Sequence, residues 1–173
     1  LELLNGRRGY KSFVISSAGA NEGKTTVAVN LSLALAQNGY SVLLIDADLR
    51  KPSVLKNLGI TNISGNGIAD VVGRVKNSSD AIKYIEKYKI FVLAGDECIA
   101  DPTEVLSNAK TGEFIAAAKE KFDYIIIDTP PAGIVADAAI CAKYTDSSIF
   151  VIREDRFPVP AILEAVSDLT QGG

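Results

Sequence analysis

The sequence predicts a three-layer α/β fold with a mainly parallel central sheet flanked by helices. Three observations predict it. Short, nearly continuous apolar runs such as SVLLI (41–45) and DYIII (123–127) have the composition of strands covered on both faces. Segments with apolar residues at helical spacing alternate with these runs. A chain of 173 residues with 47% hydrophobic content suits one core, which at this length removes about 70% of the unfolded surface from water.

Taken in order, Phe13, Val14 and Ile15 make a first strand, residues 18–23 a small-residue loop, and Lys24 to Gln37 a helix with Val27, Leu31, Ala34 and Leu35 as its stripe and Asn38-Gly39 as its stop. Ser41 to Ile45 is the next strand. A short helix is expected over Ser53 to Leu58, then a Gly/Asn-rich loop to Gly67, then helical pieces in IADVVGRV and SSDAIKYI. Ile90 to Leu93 reads as a strand and Ala94 to Asp101 as a loop. Asp101-Pro102 opens a helix with proline at its first position. Thr111 to Lys121 follows, with Phe114, Ile115, Ala118 and Phe122 as a core stripe. Asp123 to Ile127 and Ser147 to Ile152 are strands, and Pro160 to Leu169 is a terminal helix.

Composition excludes several kinds of chemistry. With no His, histidine triads and histidine-based metal sites are ruled out. Cys98 and Cys141 lack C-x-x-C spacing and read as buried or incidental thiols. A net charge of −3 and a pI near 5 argue against a nucleic-acid surface spread over the domain. No run approaches a membrane span, and LELLNGRRGYK lacks the apolar core of a signal peptide, so a cytoplasmic domain is expected. The chain starts at Leu1 and holds no Met, so residues 1–173 are read as one domain cut at both ends.

Three motifs carry the function. Gly23-Lys24-Thr25-Thr26 closes a phosphate-binding P-loop: backbone N–H groups at a helix N-terminus form an anion site, Lys24 adds a point charge and Thr25 offers its hydroxyl to Mg²⁺. Gly19, Ala20, Asn21 and Glu22 complete the loop, with Ala18 where the general pattern has glycine; Gly19 and Asn21 are the residues expected to accept left-handed backbone. Asp128, at the end of DYIIID, has the position of a Walker B carboxylate. Between them, VLLIDADLRKP sets Asp46 and Asp48 two residues apart just past a strand, followed by Arg50. Acidic residues there sit where open α/β sheets bind ligands.

EGKTT, VLLIDADLRKP and YIIIDTPP, in this order, resemble the bacterial tyrosine kinase (BY-kinase) domain of exopolysaccharide and capsule systems, which has the P-loop NTPase fold. ADPTEVL is similar to that family's Asn-Pro-x-Glu-Leu-Leu region, and VADAAICAKYTDSSIFVIR to its helix and strand after Walker B. The resemblance implies ATP and Mg²⁺ as cofactors and transfer of phosphate to protein tyrosines. Lys24 and Thr25 match the Walker A lysine and its Mg²⁺ hydroxyl, with Thr26 beside the α phosphate. Asp46 and Asp48 match the middle aspartate pair and Asp128 the Walker B carboxylate; Asp46 would accept the phenolic proton, and Asp48 would orient metal-bound water. Thr25, Asp48 and Asp128 would hold the metal. Arg50 would contact phosphate or a neighbouring subunit.

The resemblance also implies a transmembrane activator or chain-length regulator, fused or separate, a homo-oligomeric ring, and work at the inner face of the cell membrane. Its substrates would include tyrosines of a C-terminal tail beyond residue 173. The six tyrosines present, Tyr10, Tyr40, Tyr84, Tyr88, Tyr124 and Tyr144, are dispersed and read as core or surface residues. Two alternatives share the motifs. One is a non-kinase ATPase switch of the partition and cell-division-site type, whose loop carries a signature lysine where this chain has Gly19. The other is an ATP-bound regulatory module of a polysaccharide co-polymerase that transfers no phosphate to tyrosine.

Overall fold

The computed structural model describes residues 8–61, 67–73, 78–95 and 99–171. Its sheet has six strands: β1 (Ser12–Ser17), β2 (Val42–Asp46), β3 (Lys83–Ile85), β4 (Ile90–Leu93), β5 (Tyr124–Asp128) and β6 (Ser147–Val151), in the order β3-β4-β2-β5-β1-β6. All neighbours pair parallel except β3 with β4. Around the sheet lie α1 (Lys24–Gln37), α2 (Val54–Asn57), α3 (Ile68–Val72), α4 (Ser78–Ala81), α5 (Pro102–Ser107), α6 (Ala109–Lys119), α7 (Asp137–Ala142) and α8 (Val159–Gln171). The three-layer α/β prediction stands.

Alternation along the strands builds the layers. Val14, Leu43, Ile45, Ile125 and Ile127 point into one core with Leu106 of α5, Phe114 and Ile115 of α6 and Cys141 of α7. Phe13, Ile15, Val42, Leu44 and Ile126 point into the other, under Ala28, Val29, Leu35 and Ala36 of α1. Each fully buried Ile or Leu contributes about 1.5–3 kcal/mol, so these central strands dominate the stability.

Two local differences from the sequence reading have physical reasons. The face of α1 against the sheet is Ala28, Ser32 and Leu35 with Val29 and Ala36, while Val27 and Leu31 are only half-buried and Ala34 is exposed. Small residues let the helix that begins at the P-loop lie close to the strands, and the fully buried Ser32 hydroxyl donates to the Ala28 carbonyl at 2.8 Å. SSDAIKYI is helical only to Ala81; Lys83–Ile85 turns into an antiparallel edge strand. Lys89 at φ 55° closes that hairpin, and Tyr84 packs on Phe91 with ring centroids 4.9 Å apart. Asp101 caps α5 by accepting from the Glu104 N–H at 3.1 Å, with Pro102 at the first position as expected. Cys141 is buried, with its thiol pushed up to about 12 by desolvation; Cys98 lies outside the described residues. Among the described residues no helix is long and apolar enough to cross a membrane.

Candidate functional site

The carboxyl ends of the three middle strands are level, with Ile15 of β1 and Asp46 of β2 each opposite Asp128 of β5. A cleft of about 610 Å³ opens above them, lined by residues 20–26, Asp48, Lys51, Ser53, Asn57 and Arg153. This is the carboxyl-end crevice where open α/β sheets place ligands.

The loop owes its shape to a few residues. Gly23, at φ 98°, precedes α1, and Asn21 takes φ 63°; glycine enters the left-handed region freely and asparagine more readily than most. Gly19 is not left-handed. It lacks a side chain because a Cβ there would overlap the Phe157 ring. The Gly19 N–H donates to Glu22 Oε2 at 2.7 Å, and the Arg153 N–H donates to Glu22 Oε1 at 3.3 Å. Glu22 is buried and ties the loop to the end of β6. Ala18, where the general motif has glycine, is buried, and Gly133 packs against its carbonyl so closely that a Cβ would not fit.

The charged groups stand over this floor. Lys24 is buried, with Nζ 3.5 Å from the Gly19 carbonyl oxygen. Burial lowers its pKa, against the opposing pull of Asp128, Asp48 and Glu22. Thr25 Oγ1 donates to Asp128 Oδ2 at 2.6 Å and lies 3.1 Å from Ser53 Oγ. Asp128 is fully buried, and its Oδ1 is the buried side-chain atom without a hydrogen-bond partner among the described residues. Burial pushes its carboxyl to about 7, the nearby Asp46 and Asp48 adding to the rise while Thr25 and Lys24 oppose it.

The middle aspartates divide their tasks. Asp46 is buried, and its Oδ2 accepts from the N–H groups of Ser53 at 2.8 Å and Val54 at 2.9 Å while Oδ1 accepts from Asp48 N–H at 3.3 Å. Desolvation still raises its carboxyl to about 6, the amide donors opposing. Asp48 is half-buried and lines the cleft; its pKa is raised, mainly by burial. Arg50, expected at phosphate or at a neighbouring subunit, is held by partners within this chain, away from the cleft lining. Its Nε and Nη2 donate to the buried Asp137 at 2.9 and 3.3 Å, and Nη2 also donates to Thr103 at 3.0 Å. It does not line the cleft, because the short turn from Asp48 to Lys51 directs it toward α5 and α7. Lys51, Ser53, Asn57 and Arg153 line the cleft without having been read as site residues. Only Arg153 carried a usable signal, as the first charged residue after a strand's carboxyl end.

These residues fit a divalent cation of the Mg²⁺ kind. Among the described residues no group of three or more His, Cys, Asp or Glu is arranged to hold a metal, but Mg²⁺ needs only one or two carboxylates, the remainder of its shell being water and phosphate oxygen. The unpartnered Asp128 Oδ1, with the Thr25 hydroxyl on the same carboxylate, is such a ligand.

A family model described as an AAA domain matches residues 12–169. The chain is 36% identical over 163 residues to the tyrosine-protein kinase CpsD of Streptococcus agalactiae serotype III, covering 94% of this chain and 70% of that protein. Its fold is similar to the VpsO kinase domain, with a TM-score of 0.89 and 34% identity over 99% of this chain and 84% of that one. It is also similar to the septum site-determining protein MinD complexed with Mg-ADP from Pyrococcus horikoshii OT3, with a TM-score of 0.78 and 27% identity over 94% of this chain and 66% of that one. The fold thus accommodates both the kinase reading and its ATPase rival, while the curated relatives that match over nine-tenths of the chain are tyrosine-protein kinases. The chain belongs to the AAA domain family of P-loop NTPases, and within it to the bacterial tyrosine-protein kinases.

Proposed function

We propose that this domain transfers the γ phosphate of Mg·ATP to protein tyrosine hydroxyls in a system that makes exopolysaccharide or capsule. The observation that carries the proposal is the junction of Lys24, Thr25 and Asp128: a buried cation, a hydroxyl and a half-satisfied carboxylate at the mouth of a P-loop. The loop N–H groups and Lys24 hold the β and γ phosphates, while Thr25 and Asp128 hold the metal from the protein side and Asp48, on the same cleft wall, orients the metal-bound water. Bound there, Mg²⁺ neutralises charge on the transferring phosphoryl group.

Phosphoryl transfer also needs an acceptor for the phenolic proton. Asp46 was the expected one, but its carboxylate already accepts from three backbone N–H groups and lies beneath the loop. Asp48 lines the cleft itself, and its raised pKa suits proton acceptance. Proton acceptance is therefore assigned to Asp48, and Asp46 fixes the loop. Gly19 supports the kinase reading over the ATPase switch: it stands where the switch carries its signature lysine, and the Phe157 ring packs on it.

A membrane activator and placement at the inner membrane face are proposed from the family alone. The test is direct. With Mg·ATP and the activator, the intact protein forms phosphotyrosine and Lys24→Met abolishes it; ATP turnover without phosphotyrosine would turn the assignment to the switch.

A further inference from the structure

Three stretches that nucleotide binding leaves without a task converge at one point: the turn after Asp48, the ADPTEVL segment and the start of VADAAICA. We propose that Arg50, Thr103 and Asp137 form a clamp that positions Asp48, so that Arg50 serves the reaction through the loop it anchors and not by touching the nucleotide.

Asp137 is fully buried at the first position of α7, and its carboxylate is satisfied by a two-pronged contact from Arg50 and by the Thr103 hydroxyl at 2.8 Å. Arg50 Nη2 in turn reaches Thr103 Oγ1 at 3.0 Å, closing a three-membered network among the β2 loop, α5 and α7. Arg50 sits within the tight turn in which Lys51 N–H donates to the Asp48 carbonyl at 3.1 Å and to Asp48 Oδ1 at 3.0 Å. The far end of the same loop is pinned by Asp46 on the Ser53 and Val54 N–H groups. With both ends held, Asp48 has one place to be, on the cleft wall beside Thr25 and Lys24. A planar guanidinium fork is needed for this, because an ammonium cannot meet both carboxylate oxygens and a hydroxyl in one plane.

The proposal rests on the reading of the cleft as a Mg-nucleotide site. Its test uses Arg50→Lys and Thr103→Val in the intact protein, and follows ADP binding by displacement of a fluorescent nucleotide, in EDTA and across a Mg²⁺ titration, beside phosphotyrosine formation. In both variants metal-free ADP affinity stays within about twofold of the parent. The Mg²⁺ needed to tighten ADP rises about tenfold in Arg50→Lys, as when a group that orients a metal-site carboxylate is lost, and less in Thr103→Val. In the kinase assay kcat falls while KM for ATP holds. A tenfold loss of metal-free ADP affinity in Arg50→Lys would place Arg50 on the nucleotide and overturn the clamp. So would an unchanged Mg²⁺ requirement in both variants. Should Arg50→Lys fail to fold, Thr103→Val, which removes one hydroxyl, decides alone. A parent protein that binds Mg·ADP without making phosphotyrosine would refute the kinase assignment and leave the clamp to be judged by the Mg²⁺ titration.

Discussion

Asp128→Asn is expected to stabilise the metal-free protein while destroying its metal site. The folded carboxyl titrates near 7 against an ordinary 3.8, because it is buried beside two other aspartates. A carboxyl raised in the fold lends stability that is complete below its unfolded pKa and lost as pH rises through the folded one. Keeping Asp128 ionised at about pH 8 therefore costs the metal-free fold up to about 4 kcal/mol. Asparagine keeps an acceptor for Thr25 and escapes that cost, but sets an amide in the unsatisfied position of Oδ1, which returns about 1–3 kcal/mol. The net gain is about 1–3 kcal/mol at about pH 8, and by about pH 4, where the wild-type carboxyl is neutral in the fold too, it gives way to a deficit of about 1–3 kcal/mol left by the amide. Urea unfolding in EDTA at the two pH values reads the difference. Adding Mg·ADP should reverse the ranking, since the wild-type protein alone is then stabilised by ligand linkage. An asparagine variant less stable than wild type at about pH 8 in EDTA, by as much as at about pH 4, would refute the claim that Asp128 is held at a cost for the metal.

Two further outcomes can be checked with stability and binding measurements. Asp146 accepts from the N–H groups of Lys11 and Ser12, from the Ser12 hydroxyl and from Lys119 at 2.7 Å, fastening the start of β1 to that of β6. Asp146→Ala should cost about 1–3 kcal/mol in chemical denaturation at neutral pH. Burial works to raise its pKa, but the Lys119 contact and the N–H donors leave it lowered. The deficit is thus present above the ordinary carboxylate range and shrinks as pH falls through the depressed folded value. Gly19→Ala should displace Phe157 and weaken nucleotide binding at least tenfold, and Phe157→Ala in the same chain should recover part of that loss by making room for the methyl group; calorimetric ADP titration of the parent and the two variants checks it.

The layered fold was readable because its signals are local. Apolar runs such as Leu43 to Ile45 and Ile125 to Ile127 need only their own composition to be recognised as buried strands. β3 was not readable, since Lys83, Tyr84 and Ile85 become a strand only through pairing with β4 and the packing of Tyr84 on Phe91. The P-loop residues and Asp128 could be singled out because their motifs are local in sequence, and the structure brings Thr25 and Asp128 together at 2.6 Å. Arg50 turned away because its fate depends on Asp137, 87 residues further on, and no local pattern encodes such a pairing. Glu22 was counted with the loop, but its bond to the Arg153 amide lies across 131 residues and needs three dimensions to be seen.

The strand order β2-β5-β1 has a consequence for how the chain is made. β1 and β2 emerge first but do not pair with each other; the gap between them is filled by β5, whose Asp128 meets Thr25 across 103 residues of sequence. Synthesis past residue 128 is required before the Thr25–Asp128 contact or a continuous central sheet can exist. A growing chain that shows its complete P-loop motif therefore cannot assemble its proposed metal ligands early. Folding is correspondingly non-local and slow to nucleate, and catalytic competence arrives only when the middle strand closes the sheet.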